Sequence, residues 1–204
     1  MVELFSGLAS LLIVLVLVAY FKQVIKGQST PNPATWLIWS IVCTMNAVSY
    51  FLVVKGNLWQ SSITIIVAVG LSSIFVYSLV KGKFGKLGKT EVICFVSAVI
   101  VGILWQITGD ANLANILLQG VFLISFVPTV LGLLKRELKE KALPWNLAVV
   151  SYSCLLISVI IDIENAGWIA LVHPIANGII GNGSVALIVN LQARKPEEHI
   201  HEEN

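Results

Sequence analysis

Long apolar stretches that carry almost no charge dominate this sequence. The first runs from Phe5 to Phe21 without a charged residue, and charged or turn-forming residues divide the rest of the chain into six more. A bilayer core of roughly 30 Å is crossed by about 20 helical residues, so each stretch is long enough to span a membrane. The predicted spans are residues 5–22, 36–54, 58–80, 91–108, 111–134, 145–161 and 168–192.

The composition agrees with this interpretation and limits the class of protein. Charged residues make up 12% of the chain, against about 25% in a soluble domain. Backbone groups in lipid need hydrogen bonds within their own segment, which favours helices, and the period-two alternation of a membrane β-barrel is absent. We therefore predict an all-α integral membrane protein with seven transmembrane helices in a lipid bilayer. Nothing in the sequence indicates nucleic-acid binding.

Positive charges fall on alternate connections between the spans. Lys22 and Lys26 follow the first span, and every other Lys and Arg except Lys55 follows the third, fifth or seventh. Cytosolic loops of membrane proteins are enriched in Lys and Arg. We therefore expect the N-terminus outside, the C-terminus in the cytosol, and a disordered cytosolic tail over residues 194–204.

A proline and a cysteine of the second span recur at the same spacing in the second half of the chain. Pro33 and Pro144 each introduce a span after a basic loop, and Cys43 and Cys154 follow them at the same distance. A three-span unit repeated directly would be inverted, and one extra span restores its orientation. We therefore predict two parallel three-helix repeats joined by a linker helix (3+1+3), over residues 1–86, 87–109 and 110–193. Transporters with such repeats bind their substrate between the units near the midplane.

This plan resembles that of the SWEET sugar transporters and the wider PQ-loop superfamily, over nearly the whole chain. That family has prolines in the cytosolic halves of the first two helices of each repeat. Pro33, Pro128 and Pro144 match three of these positions, and the resemblance implies that they are gating prolines. The fourth position, near Ala19, has no proline, and Pro31-Asn32 replaces the Pro-Gln pair of the first repeat.

Two further motifs carry the resemblance. The second span of the family often has an Asn followed four residues later by an aromatic residue, and Asn46 and Tyr50 match this pattern with Tyr in place of the usual Trp. Asn177-Gly178 and the glycines after it match the last helix, whereas the Asn expected near Ala68 in the third is absent. The resemblance implies a divergent, bacterial-type member of the superfamily in the inner (cell) membrane.

Polar side chains inside the spans are the candidate binding residues. Asn46 lies in mid-span, where it either binds a polar solute or ties two helices together. His173 and Asn177 are one turn apart and share a helix face, whereas the helical period turns Asn182 toward another neighbour. These three residues either line a polar groove or belong to a glycine-rich surface for helix packing, in which the His has a hydrogen-bond partner within the protein. Trp39 is one turn deeper than an interfacial belt residue and is the best candidate to stack on a ring. Tyr50, the aromatic partner of Asn46 in the family pattern, is also a candidate binding residue.

Three classes of function stay open at this stage. The first is a facilitator (uniporter) for a small neutral, sugar-like solute by alternating access, because no Asp or Glu lies deep in a span. The second is a vitamin transporter of the nicotinamide riboside type, because Trp36-x-x-Trp39 is similar to a motif of those proteins. The third is a non-transporting seven-helix receptor or adaptor.

Catalysis is the least expected activity. No nucleophile–base pair or metal-ligand cluster lies at membrane depth, so we expect neither an enzyme nor a bound metal or cofactor. The sequence leaves room for a homo-oligomer without indicating one.

Overall fold

The computed structural model describes residues 1–26, 33–81, 87–137 and 140–194. Within these ranges, seven helices are long and apolar enough to cross a membrane. The all-α class and the number of spans predicted from the sequence are thereby confirmed. Pro31-Asn32, several loop lysines and the tail after Arg194 lie outside the described residues.

The first six spans are continuous α-helices, and the seventh is a composite. The first six are α1 (Val2–Ile25), α2 (Pro33–Val53), α3 (Leu58–Lys81), α4 (Lys89–Thr108), α5 (Ala111–Leu134) and α6 (Ala142–Ile161). A single-turn helix, α7 (Ile163–Ala166), leads to the seventh span, Trp168–Arg194. That span contains a 3-10 turn (Trp168–Leu171), a π-helix (Pro174–Asn182) and α8 (Gly183–Arg194).

The helix ends follow from residues that stop or start a helix. Gly109 ends α4 with φ 66°, a left-handed conformation that glycine adopts at little cost. Asp110 then caps α5, because its Oδ1 accepts hydrogen bonds from the backbone N–H groups of Asn112 (2.9 Å) and Leu113 (3.1 Å). The connection between α4 and α5 is therefore short and fixed.

The three prolines identified from the resemblance occupy different positions in their helices. Pro33 is the first residue of α2, where its missing N–H costs nothing. Because α6 begins at Ala142, Pro144 lies inside the first turn of the helix and not ahead of it, and that turn also lacks N–H partners. Only Pro128 lies in a helix interior, where it removes one backbone hydrogen bond of α5.

The helices pack in a regular pattern of neighbours. In the first half, α3 packs against both α1 and α2, and in the second half the seventh span packs against both α5 and α6. The two halves meet where α1 packs against α6 and α2 packs against α5. Helix α4 packs against α5 and α2 and exposes much of its apolar surface outward, as a lipid-facing helix does.

Candidate functional site

Amide side chains from two helices form a buried polar layer between the halves. Asn46 and Ser49 on α2 face Asn115 and Gln119 on α5, and all four are buried. Asn46 Oδ1 accepts hydrogen bonds from Asn115 Nδ2 (3.2 Å) and Gln119 Nε2 (2.9 Å). Asn115 Nδ2 also donates to Ser49 Oγ (3.0 Å). The layer joins α2 to α5 through side chains that lipid could not satisfy.

His173 continues this layer into the seventh span. Its Nδ1 lies 3.0 Å from Gln119 Oε1. Because the Nε2 of Gln119 donates to Asn46, the Oε1 is the atom that faces His173, and Nδ1 is therefore the protonated nitrogen. His173 Nε2 is buried and has no hydrogen-bond partner among the described residues. It is an unsatisfied acceptor at the centre of the molecule.

Three aromatic rings surround the imidazole of His173. The ring centroids of Tyr50, Tyr152 and Phe122 lie 5.0, 5.5 and 6.3 Å from that of His173. The hydroxyl of Tyr50 donates to the backbone oxygen of Ala170 (3.1 Å), which joins α2 to the seventh span. The polar layer is thus enclosed by rings and separated from lipid.

A central cavity of about 390 Å³ lies between the halves on one side of this layer. It reaches Tyr20, Trp36 and Trp145, which lie near the helix ends that carry the Lys-rich connections. Its wall combines aromatic rings, aliphatic side chains, hydroxyls and amides, and no charged side chain belongs to it among the described residues. The polar and aromatic members deeper in the wall are Trp39, Phe122, Ser125, Tyr152, Asn177 and Asn182.

The π-helix brings two amides into this cavity. Asn177 Nδ2 donates to the hydroxyl of Tyr152 (3.0 Å), and Asn182 Nδ2 donates to the backbone oxygen of Asn177 (2.7 Å). A π-helix has more residues per turn than an α-helix. Asn182 therefore lies beside Asn177, and the expectation that it turns toward another neighbour is wrong.

Hydrogen bonds between the halves close the end of the molecule away from the Lys-rich connections. Ser6 Oγ on α1 lies 2.7 Å from Ser158 Oγ on α6. Gln60 Nε2 on α3 donates to Asp162 Oδ2 after α6 (3.0 Å). These bonds and the polar layer separate the cavity from that end of the bundle.

The structure divides the predicted binding residues into two groups. Trp39, Asn177 and Asn182 line the cavity. Asn46, Tyr50 and His173 are buried in the polar layer beside it. Trp39 stacks on Phe122 of α5, with ring centroids 6.0 Å apart and planes 22° apart, so one of its faces is covered by protein.

Sequence reasoning missed three residues that complete the site. Asn115 and Gln119 lie one turn apart in the fifth span and carry the same signal as Asn46, an amide at membrane depth. Tyr152 gave no such signal, because a Tyr in a span is usually an interfacial or packing residue.

No group of three or more potential metal ligands occurs in the described parts of the chain. The chain has no significant match among known protein families, curated proteins or solved structures.

Proposed function

We propose that this protein is a membrane transporter, a facilitator that moves a small neutral polar solute by alternating access between two three-helix units. The observation that carries the proposal is the central cavity. It lies between the halves of the bundle, ends at a buried polar layer, and extends toward the Lys-rich helix ends. A closed structural core has no need of such a cavity, whereas a carrier needs one that reaches one side at a time.

The pattern of helix neighbours supports the two-unit organisation. Apart from those that involve α4, the helix pairs that pack together stay the same when α1 is exchanged with α5, α2 with α6, and α3 with the seventh span. The pair α1–α6 becomes α5–α2, and the contacts of α3 become those of the seventh span. We infer from this pattern two parallel repeats related by a twofold axis along the membrane normal, with α4 as the linker.

The distribution of charge supports an orientation. The cavity extends toward the ends of the helices that carry nearly all Lys and Arg residues. With those ends in the cytosol, the N-terminus is outside and the molecule faces inward. We place it in a bacterial inner membrane, as the resemblance to divergent bacterial SWEET-like proteins implies.

The chemistry of the wall supports a neutral solute. Its amides and hydroxyls offer hydrogen bonds, its rings offer flat apolar surface, and no charged side chain belongs to the described wall. A volume of about 390 Å³ falls at the small end of the roughly 300–1,000 Å³ typical of small-molecule sites. A sugar-like molecule matches this combination, because its hydroxyls suit the amides and its apolar ring face suits Trp39.

One observation favours a second cargo. The stacked pair Trp39–Phe122 forms part of the cavity wall and is continued by Trp36 and Tyr152. An aromatic wall of this extent also suits a planar base, as in a nicotinamide riboside-type vitamin.

Uptake into proteoliposomes tests the proposal and separates the two cargoes. Purified protein is reconstituted and assayed with radiolabelled monosaccharides and nucleosides. We expect uptake of one of these classes and at least a roughly tenfold loss in Asn177→Ala, because the variant removes a polar group from the cavity wall. Asn146→Ala is the matched control, because Asn146 bonds to Asn190 and is absent from the cavity wall.

Two outcomes would overturn the proposal. Normal uptake by Asn177→Ala would place the binding site elsewhere. Absence of uptake of any tested solute, together with specific binding of a protein partner, would assign the chain to the receptor or adaptor class.

A further inference from the structure

A second chamber, of about 230 Å³, lies between α2, α4 and α5. It adjoins the central cavity, and the two spaces share Thr35, Trp39, Ser125 and Thr129 in their walls. Glu91, in the first turn of α4, is the one carboxylate in the described wall of either space. The chamber therefore has an electrostatic character that the central cavity lacks.

The polar groups of this chamber have unused hydrogen-bonding capacity. The hydroxyls of Thr35, Thr90 and Thr129 make no hydrogen bond within the described residues, and the carboxylate of Glu91 makes no ion pair there. A partly buried carboxylate that has no partner within the protein can pair with a bound cation. Three hydroxyls and one carboxylate without a partner among the described residues therefore line one small, partly open space and are available to a polar or charged ligand.

We infer that this chamber binds a small organic monocation, an ammonium or quaternary ammonium group held by the Glu91 carboxylate against the indole of Trp39. The carboxylate supplies charge, the indole supplies a cation–π surface, and the threonine hydroxyls accept hydrogen bonds from an ammonium. An anion would be repelled by Glu91, and a neutral ligand would leave that charge unpaired. No set of three metal ligands occurs in the described residues, so the site does not suit a coordinated metal ion.

This site is independent of the proposed transport function. The two sites share Trp39, one face of which Phe122 covers, but the chamber lies between α2, α4 and α5, whereas the central cavity also reaches α1, α6 and the seventh span. Binding can therefore be measured without any transport assay, and failure of one proposal leaves the other standing.

The native cysteines provide reporters for the two spaces. Cys94 lines the chamber, Cys43 lines the central cavity, and Cys154 lines neither. Two variants are needed: one keeps Cys94 as the only cysteine, and the other keeps Cys43. Each is treated with a cationic trimethylammonium-ethyl and an anionic sulfonato-ethyl methanethiosulfonate, with and without tetramethylammonium.

The inference predicts a charge preference at Cys94 alone. We expect the cationic reagent to modify Cys94 roughly tenfold faster than the anionic one, because at short range the Glu91 carboxylate attracts the first and repels the second. Tetramethylammonium should slow that reaction, and Glu91→Gln should abolish both effects. Glu137→Gln, which removes an exposed acid outside the chamber, is the matched control and should leave both effects intact.

A second measurement covers the case in which Cys94 is unreactive. Thermal unfolding of the wild-type protein is followed against tetramethylammonium concentration, with Glu91→Gln and Glu137→Gln alongside. We expect stabilisation of the wild type and of Glu137→Gln, and none of Glu91→Gln. If wild type and Glu91→Gln respond alike in both experiments, the inference is overturned and the chamber holds water only.

Discussion

At the scale of single residues, the main feature is a path of hydrogen bonds between two buried amide side chains and a buried imidazole. The path from Asn46 through Gln119 to His173 joins α2, α5 and the seventh span. Sequence reasoning identified Asn46 and His173, because a polar group at membrane depth needs a partner. It did not identify which residues they would contact, because a span's sequence fixes its depth but not its rotation toward each neighbour.

Gln119 is the middle member of this hydrogen-bonded path, and replacing its side chain should destabilise the fold. Gln119→Ala leaves Asn46 with one donor fewer and His173 without its acceptor, so we expect a loss of about 1–3 kcal/mol of unfolding free energy. Chemical unfolding in detergent measures this loss. Gln192→Ala is the control, because Gln192 is only half-buried and donates one hydrogen bond, to the backbone oxygen of Leu133. An equal effect in both variants would contradict a central role for Gln119.

At the scale of elements, the sequence predicted the spans well and the seventh one incompletely. The predicted boundaries of the spans lie within a few residues of the observed ends, because length, charge and capping residues set them. The π-helix from Pro174 to Asn182 was not foreseen. Pro174 indicates that one backbone hydrogen bond is lost. Whether the helix then kinks or widens into a π-helix depends on the helices packed around it.

The π-helix depends on two glycines that face aromatic side chains. A Cβ at Gly178 would collide with the Cβ of Tyr152, and one at Gly181 would collide with the ring of Phe126. We expect Gly178→Ala to lower the free energy of unfolding by about 1–3 kcal/mol, because the overpacked backbone must shift. Gly120→Ala in α5 is the matched control, because an added Cβ meets nothing within 4 Å there.

Thermal or chemical unfolding of both glycine variants checks this packing. The control should be neutral or more stable by up to about 1 kcal/mol, because Ala favours a helix over Gly. Stability of Gly178→Ala at or above that of the control would show that the π-helix is not held against α6 as described.

At the scale of the whole molecule, the halves are joined most firmly at the end away from the Lys-rich connections. Ser6–Ser158 and Gln60–Asp162 lie at that end, the polar layer lies next to it, and the cavity lies beyond. The sequence predicted seven spans, as the structure has them, from apolar length and from the positions of charges and turn-forming residues. It could not predict which end would be closed, because that depends on contacts between residues far apart in the chain.

Alternating access, as we propose it, requires the two three-helix units to move relative to each other. In a cysteine-free background, Ser6→Cys with Ser158→Cys places a disulfide between α1 and α6, across the units. Ser10→Cys with Ser62→Cys places one between α1 and α3, within a single unit, at a similar serine–serine contact of 2.5 Å against 2.7 Å. The measurement is solute uptake by each pair in proteoliposomes after oxidation and again after reduction.

We expect oxidation to abolish uptake by the Ser6→Cys/Ser158→Cys pair and reduction to restore it, while the Ser10→Cys/Ser62→Cys pair transports in both states. Undiminished uptake by the oxidised Ser6→Cys/Ser158→Cys protein, with the cross-link verified by mass spectrometry, would contradict alternating access between these units.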